Sequence, residues 1–407
     1  MLFTKKTIKD VPIEHQTVLL RADYNVPLKS DGTIADDFRM QQSLPTVRFL
    51  QKAGCKIVIC AHLGRPDGKV VPAESLVPVA KHLSELLGQP VPFVPDCVGD
   101  QVTVAAKKMK PGDVILLENL RFHPQEEAND MAFAQNIAKS STATYFVQDG
   151  FGVVHRAHAS TDAITHCLPS VAGLLLEREV TAILGAMQDP KRPLVAVLGG
   201  AKVSDKIKVI EKFVAIADQL IIGGAMANTF LKYKGVPIGK SKHEDGEDEL
   251  IKHIYELAAQ KVGAENVDDF VLLPVDAAVA PKIAPDQPRT IVNLQNVAPA
   301  DYILDLGPRS TDAILQKIAT AGSVIWNGTL GYAEYVVFAY SSAKLAMALA
   351  EHQNVYSLIG GGDTADFVIH WDAKKGRSFS HVSTGGGASL ELMAGDTLPG
   401  IAALMDK

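Results

Sequence analysis

The sequence predicts an α/β fold built on two doubly wound parallel sheets, and three observations carry that reading. Short β-branched runs recur along the chain, each is followed by a glycine-rich or polar turn, and each turn leads into a segment of helical periodicity. The runs are near-continuously apolar, as strands covered on both faces must be. In the first half they are Val18 to Arg21, Lys56 to Ala61, Val114 to Leu117 and Tyr145 to Gln148. In the second half they are Leu194 to Leu198, Gln219 to Ile222, Phe270 to Leu273, Ser323 to Trp326, Val355 to Ile359 and Ser380 to Ser383. Amphipathic stretches such as Leu76 to Leu87 and Asp205 to Ala217 supply the crossovers. Between the two series, Pro169 to Gln188 reads as one long helix with no strand in it, the natural connector of two sheets.

A chain of 407 residues, 47% hydrophobic and 21% charged, has the length of two domains and the composition of an ordinary globular protein. The longest apolar run, Leu168 to Leu176, is broken by Pro169 and Gly173 and falls short of a membrane span. The first residues lack an apolar signal core, which sets a cytoplasmic location as the expectation. Cys55, Cys60, Cys97 and Cys167 have no CxxC spacing, and this favours buried reduced thiols over a zinc site or disulfides. Residues 1–172 balance 18 Lys+Arg against 18 Asp+Glu, while the rest of the chain is acidic, so no basic stripe for nucleic acid is present.

In open parallel sheets, ligands bind beyond the carboxyl ends of the strands. After the first-half strands stand Arg21, Asp23 and Asn25, then His62-Leu-Gly-Arg65, then Glu118-Asn-Leu-Arg121, then Asp149-Gly-Phe-Gly and His155-Arg156-Ala-His158, with Arg39 shortly after the first strand. Guanidinium groups recognise carboxylates and phosphates in planar, bidentate fashion, so several converging from separate turns point to a small ligand with two anionic groups. Asp23 and Asn25 suit a hydroxyl, because a carboxylate accepts its proton and repels an anion. Surface ion pairs are the plainer alternative for any single Arg. His155 and His158 lack a third ligand at matching spacing, which argues against zinc.

The second half has glycines at its strand ends: Gly199-Gly200-Ala-Lys202 with Lys206, then Gly223-Gly224, Asn327-Gly328, Gly360-Gly361-Gly362-Asp363-Thr364 and Gly385-Gly386-Gly387. Glycine lets backbone approach a ligand closely, and N–H groups at a following helix start form an anion cradle. This reads as a phosphate-binding surface, with Lys202 and Lys206 four apart and Asp363 placed for a metal carried by phosphates. Gly235 to Ser241 is one residue short of a Walker loop and follows no strand, so it reads as a loop, and Glu244 to Glu249 reads as the solvated start of a helix. Gly360 to Ala365 fits GxGxxA and opens a dehydrogenase reading, but the acidic ribose partner expected about 20 residues later is missing.

Arg21 to Leu28, Leu44 to Thr46, His62 to Pro66, Leu117 to Phe122, His155 to His158, Leu198 to Val203, Gly360 to Thr364 and Ser383 to Gly387 together resemble the signature segments of the phosphoglycerate kinase family, in that family's order and across essentially the whole chain. The resemblance implies two Rossmann-like domains joined by a long helix, with the C-terminal helix returning to the first domain. The expected division is 1–172 for 3-phosphoglycerate or 1,3-bisphosphoglycerate, 173–188 as interdomain helix and hinge, 189–387 for Mg-ADP or Mg-ATP, and 388–407 as a tail on the first domain.

Carried over by motif, Asp23, Asn25, Arg39, His62, Arg65, Arg121 and Arg156 are implied substrate ligands. Lys206, Asn327, Glu334, Gly361, Gly362, Asp363 and Thr364 are implied on the nucleotide side, with Asp363 near Mg²⁺, and Arg39, Lys202, Lys206 and Gly386 as the catalytic set. The implied reaction is reversible, direct in-line phosphoryl transfer from 1,3-bisphosphoglycerate to ADP in glycolysis and gluconeogenesis, by a cytoplasmic monomer that closes about its hinge and has no nucleic-acid or membrane partner. The sequence departs from the family pattern WNGPxGxFE at Thr329 and Ala333, from Asn-Asp-Ala at Gln148-Asp-Gly150, and from Ser at Ala61. A nicotinamide dehydrogenase and a non-catalytic nucleotide-binding protein are the rival readings.

Overall fold

The structure of the chain, a computed structural model, is described for residues 3–407. The chain divides into two compact units, one holding the residues up to Thr181 together with Asp396–Lys407, the other holding Ala182–Gly395.

Unit 1 is built on a parallel sheet of β1 (Thr17–Arg21), β2 (Lys56–Cys60), β3 (Phe93–Val94), β4 (Val114–Leu117), β5 (Tyr145–Gln148) and β6 (Ser170–Ala172). Their order is β3-β4-β2-β1-β5-β6, so the winding reverses at β1, which pairs with β2 on one side and β5 on the other. Val18 and Leu20 pack on one face with Met40, Leu44 and Val47 of helix Phe38–Lys52. Leu19 points to the other face, among Val58, Phe146 and Ile137. Both faces are covered, which is why the sequence of β1 is a continuous apolar run rather than an alternating one.

The connector differs from its sequence reading. Ser170–Ala172 is a strand in register with Phe146–Gln148, and the helix runs only from Leu174 to Gln188. Gly173 makes the break, because a Cβ there would lie 2.1 Å from Asp149 Oδ1. That close approach is used: Asp149 Oδ1 accepts the Leu175 and Leu176 N–H groups at 2.9 and 3.4 Å, and the Thr46 hydroxyl oxygen accepts the Leu174 N–H at 3.0 Å. A carboxylate at a helix N-terminus meets both the orphan donors and the positive end of the dipole.

Unit 2 holds β7 (Leu194–Leu198), β8 (Gln219–Ile222), β9 (Val271–Leu272), β10 (Asp276–Ala280), β11 (Thr290–Asn293), β12 (Tyr302–Leu306), β13 (Ser323–Asn327), β14 (Tyr356–Gly360) and β15 (His381–Val382). Six of these form a parallel sheet in the order β15-β14-β13-β7-β8-β9, which reverses at β7. The other three form an antiparallel sheet, β11-β10-β12, that the sequence reading lacked. Helix Gly387–Ala394 packs on helix Ile207–Ile216 of the same unit, so the chain leaves unit 2 at Gly395 and not at 387. The segment belonging to unit 1 is Asp396–Lys407, where Gly400 N–H donates to Val154 O at 2.9 Å and Met405 N–H to Ser170 O at 3.0 Å. Among the described residues no helix is long and apolar enough to cross a membrane.

Burial raises the Asp149 carboxyl to about 7, far above the unfolded value near 3.9. Between those values the folded state keeps a proton that the unfolded chain has lost, so this group's contribution to stability falls as pH rises. Asp149→Asn imitates the protonated acid. The unfolding free energy of the variant minus that of the wild type should therefore climb between about pH 5 and about pH 7, by up to about 1.4 kcal/mol per pH unit, in chemical denaturation. A pH-independent difference would contradict this account.

Candidate active site

The reversal at β1 sets the exits of β1, β2 and β5 side by side, and the polar residues of unit 1 gather there. Asp23, buried, takes Arg39 Nη1 on Oδ2 at 3.0 Å, and the same nitrogen reaches Asn25 O at 3.2 Å. Asn25 Oδ1 accepts the Gly64 N–H at 2.9 Å, which ties the β1 exit to the β2 exit. His62 lies buried with Arg21 Nη2 at 3.2 Å from its Nδ1. A guanidinium can only donate, so Nδ1 accepts and the ring proton sits on Nε2. Burial, with Arg21, Arg121, Arg39 and Arg156 around it, holds the His62 imidazole well below its ordinary range and therefore neutral.

Arg121 is buried in the 3-10 turn Leu120–Phe122 after β4 and donates from Nη1 to Gly64 O at 2.9 Å. Its Nη2 is buried with no hydrogen-bond partner among the described residues. Asn119 builds the turn: its Nδ2 donates to Leu63 O and Glu74 O at 2.7 and 2.9 Å, and its Oδ1 accepts the Arg121 N–H at 3.0 Å. Arg156 Nε donates to His155 Nε2 at 3.1 Å, and Arg65 is exposed on the β2 exit. Apart from exposed Arg65, the predicted unit 1 residues thus converge on one buried or half-buried basic surface.

Beneath that surface lies a network the sequence did not disclose. Arg21 is fully buried and donates from Nε to Ser160 Oγ at 2.8 Å, and Ser160 donates from Oγ and N to the buried Glu126 carboxylate at 2.6 and 3.0 Å. Glu126 is the counter-charge that lets a guanidinium sit at the floor of a site already crowded with cations.

In unit 2 the reversal at β7 brings its exit against that of β13. Lys206 reaches across both, donating from Nζ to Gly199 O at 2.9 Å and Asn327 Oδ1 at 2.7 Å. Burial pushes its amine down to about 8. The glycines of these two exits serve chain packing, because a Cβ on Gly199 would lie 2.1 Å from Thr329 O and one on Gly328 2.2 Å from Gly199 C. Gly362 and Gly386 are different, since a Cβ on either meets nothing within 4 Å. Gly361, at φ +87, leads into helix Gly362–Trp371, whose first turn carries N–H groups without intrahelical acceptors. Asn327 Nδ2 is buried without a hydrogen-bond partner among the described residues, about 3.0 Å from where a Gly361 Cβ would stand.

Two of the expected nucleotide-side features are occupied by the fold itself. The Thr364 hydroxyl is buried and accepts the Gly328 N–H at 2.6 Å. The helix start after Gly200 is capped by Glu244, whose carboxylate takes the Val203 and Ser204 N–H groups at 2.5 and 3.1 Å. Glu244 is therefore not the solvated start of the next helix, which begins at Asp248. Lys202 is exposed beside that carboxylate. A cavity of about 280 Å³ is lined by Gly200, Gly224, Asn228, Leu330, Glu334 and Asp363 among others. A second, of about 650 Å³, shares Thr329, Glu334 and Asp363 and is bounded by Ala333, Tyr340 and Trp371. Gly235 to Lys240 is the loop after helix Gly224–Tyr233.

Residues 8–396 match the family model described as phosphoglycerate kinase. The chain belongs to the phosphoglycerate kinase family. It is 44% identical over 403 residues to the phosphoglycerate kinase of Moorella thermoacetica, covering 99% of this chain and 100% of that one. It is 47% identical over 408 residues to that of Rippkaea orientalis, covering 98% and 99%. Among solved structures, phosphoglycerate kinase from Coxiella burnetii superposes with a TM-score of 0.83 at 36% identity and that from Pyrococcus horikoshii with 0.81 at 31%, each covering 98% of both chains. The chain is thus a transferase with the phosphoglycerate kinase function of glycolysis, and these relatives lend no support to a dehydrogenase.

Removing the Glu126 carboxylate leaves Arg21 buried without its counter-charge. Glu126→Ala should lower stability by about 3–5 kcal/mol, measured by denaturant unfolding, while Glu126→Gln, which can still engage Ser160, recovers part of the loss. A loss in Glu126→Ala within experimental error of zero would show that the network carries no net charge compensation.

Proposed function

We propose that unit 1 binds 3-phosphoglycerate or 1,3-bisphosphoglycerate through Asp23, Asn25, Arg39, His62, Arg65, Arg121 and Arg156, and that unit 2 binds Mg-ADP or Mg-ATP through Lys206, Asn327, Glu334 and Gly361 to Thr364. The observation that carries the reading is the convergence of Arg21, Arg39, Arg121 and Arg156 on a neutral His62. Such a concentration of guanidinium groups favours a ligand that brings its own negative charge. The unpartnered Arg121 Nη2 offers a donor for a carboxylate or phosphate oxygen. Asp23, buried against Arg39, and Asn25 beside it suit the 2-hydroxyl of a glycerate.

An acyl phosphate carries a good leaving group and ADP is already an anionic nucleophile, so the forward reaction asks for no general base. Direct in-line transfer then requires alignment and charge neutralisation, for which Arg39, Lys202, Lys206 and the N–H groups near Gly362 and Gly386 are the candidates. Asp363 is an exposed hard carboxylate in the first turn of its helix and lines the nucleotide-sized cavities, a donor type that fits Mg²⁺. When bound with the nucleotide, Mg²⁺ supplies charge neutralisation at the phosphate oxygens. Ala333, where the family pattern has Phe, borders the larger cavity, so the wall beside the nucleotide is the part of the site most altered. The proposal includes a cytoplasmic monomer without nucleic-acid or membrane partners.

Arg121→Ala should weaken 3-phosphoglycerate binding by roughly tenfold or more and leave ADP binding within about twofold. Lys206→Ala should lower kcat by roughly a hundredfold with a smaller change in KM. Calorimetric titration and a coupled assay read these effects, and equal losses for both ligands in Arg121→Ala would refute the division of labour.

Because the two sets of ligands belong to different units, transfer needs a conformational step that brings donor and acceptor oxygens together, with helix Leu174–Gln188 as the hinge element. Small-angle scattering should report a smaller radius with both substrates bound than with either alone. An unchanged radius in an active preparation would overturn the hinge account.

A further inference from the structure

The exits of β3 and β4 carry a second cluster that the reaction does not use. These strands are neighbours, with Phe93 opposite Leu116 and Val94 opposite Leu117, so the turns that follow them emerge together. The first turn holds Asp96 and Cys97, and the second holds His123, next after the 3-10 turn that carries Arg121. A carboxylate oxygen, a thiol sulfur and an imidazole nitrogen, one from each residue, lie within 4.8 Å of one another.

The cluster is held in place from several sides. Asp96 Oδ1 accepts the Cys97 and Val98 N–H groups at 2.6 and 3.3 Å, which fixes the carboxylate. The His123 ring rests on Phe133 with centroids 5.0 Å apart, and its Nε2–H donates to Asp96 Oδ1 at 3.0 Å. Cys97 is buried, while the His123 and Asp96 side chains are 30% and 43% exposed, so the thiol lies at the bottom of a site open to solvent on its carboxylate and imidazole side. Among the described residues, no Lys or Arg side chain forms an ion pair with Asp96, whose partner is His123.

From this juxtaposition we propose that Asp96, Cys97 and His123 form a three-ligand site for a borderline-soft divalent cation of the Zn²⁺ class, with water completing a tetrahedron. The donor set decides the class: thiolate and imidazole select zinc-like ions, whereas Mg²⁺ takes oxygen ligands. Zinc bond lengths put neighbouring ligand atoms about 3.3–3.6 Å apart, so the Nε2–Oδ1 pair, 3.0 Å apart, opens slightly. On binding, the thiol proton leaves to solvent and the imidazole proton moves from Nε2 to Nδ1, giving one net proton released per ion. An ion there ties the β3 exit to the turn that carries Arg121.

The test uses the full-length, Mg²⁺-replete enzyme and Co²⁺ as the probe. Titration should reach saturation at one equivalent, with a sulfur-to-cobalt charge-transfer band and intense tetrahedral d–d bands, both removed by added Zn²⁺. Cys97→Ala should abolish the charge-transfer band, and His123→Gln should weaken Co²⁺ binding by more than about a hundredfold, since even outer-shell changes cost ten- to a hundredfold. His123 is partly exposed, so its variant remains informative should the buried Cys97 variant fail to fold. Absence of a thiolate–cobalt band in the wild type overturns the proposal. So does a band that survives His123→Gln unchanged, or one that disappears only in Cys167→Ser.

Discussion

Because a parallel strand can be joined to its neighbour only through a crossover of a dozen or more residues, every strand of the two six-stranded sheets releases its chain at one edge of its sheet. Where the winding reverses, at β1 and at β7, the crossovers on either side run to opposite faces and leave a crevice between adjacent exits. Asp23 and Asn25 stand at the first crevice, between the exits of β1 and β5, and His62 joins them because β2 is the neighbour of β1 on its other side. Lys206 spans the second because β7 and β13 are neighbours, and its amine rests on one acceptor from each exit.

The two crevices solve opposite electrostatic problems. Unit 1 concentrates guanidinium groups, and their mutual repulsion is contained by carboxylates in fixed positions: Asp23 on Arg39 at 3.0 Å, Glu127 beside Arg121 at 3.2 Å, and Glu126 behind Arg21 through Ser160. The imidazole among them stays neutral, so His62 adds a donor without adding charge. Unit 2 relies on backbone. Its one deeply placed amine is held by carbonyl oxygens and an amide, a setting that stabilises an ammonium less than a carboxylate would and leaves Lys206 depressed to about 8.

Much of this was legible in the sequence because parallel strands buried on both faces leave long apolar runs, and polar residues just after such runs stand out. Two short strands escaped, Phe93–Val94 and Ser170–Ala172, because proline stands beside each and too few residues remain for a period to show, whereas the equally short Val271–Leu272 and His381–Val382 were read within slightly longer runs. The antiparallel sheet escaped because β11 is mostly exposed and carries no apolar pattern. Glycines were visible but not their reasons: Gly199 and Gly328 make room for each other's backbone, while Gly362 and Gly386 face open space. Glu126, Glu244 and the Cys97–His123 pair are defined by contacts between segments far apart in the chain, and spacing alone carries no trace of them.

The segment Asp396–Lys407 is made after all of unit 2, yet it completes unit 1: the Lys6 N–H donates to Met405 O at 2.8 Å, and Lys5 Nζ reaches Ala402 O and Leu404 O at 2.8 and 2.9 Å. On a ribosome that delivers residues in order, unit 2 has its whole sequence available once Gly395 has emerged, whereas the part of unit 1 up to Thr181 must wait for partners that follow unit 2. The usual expectation that the N-terminal domain finishes first is thereby inverted. Until Asp396–Lys407 have emerged, the backbone groups of Lys6, Val154 and Ser170 lack the partners that this segment supplies, and unpaired backbone of that kind is where a growing chain is open to mispairing.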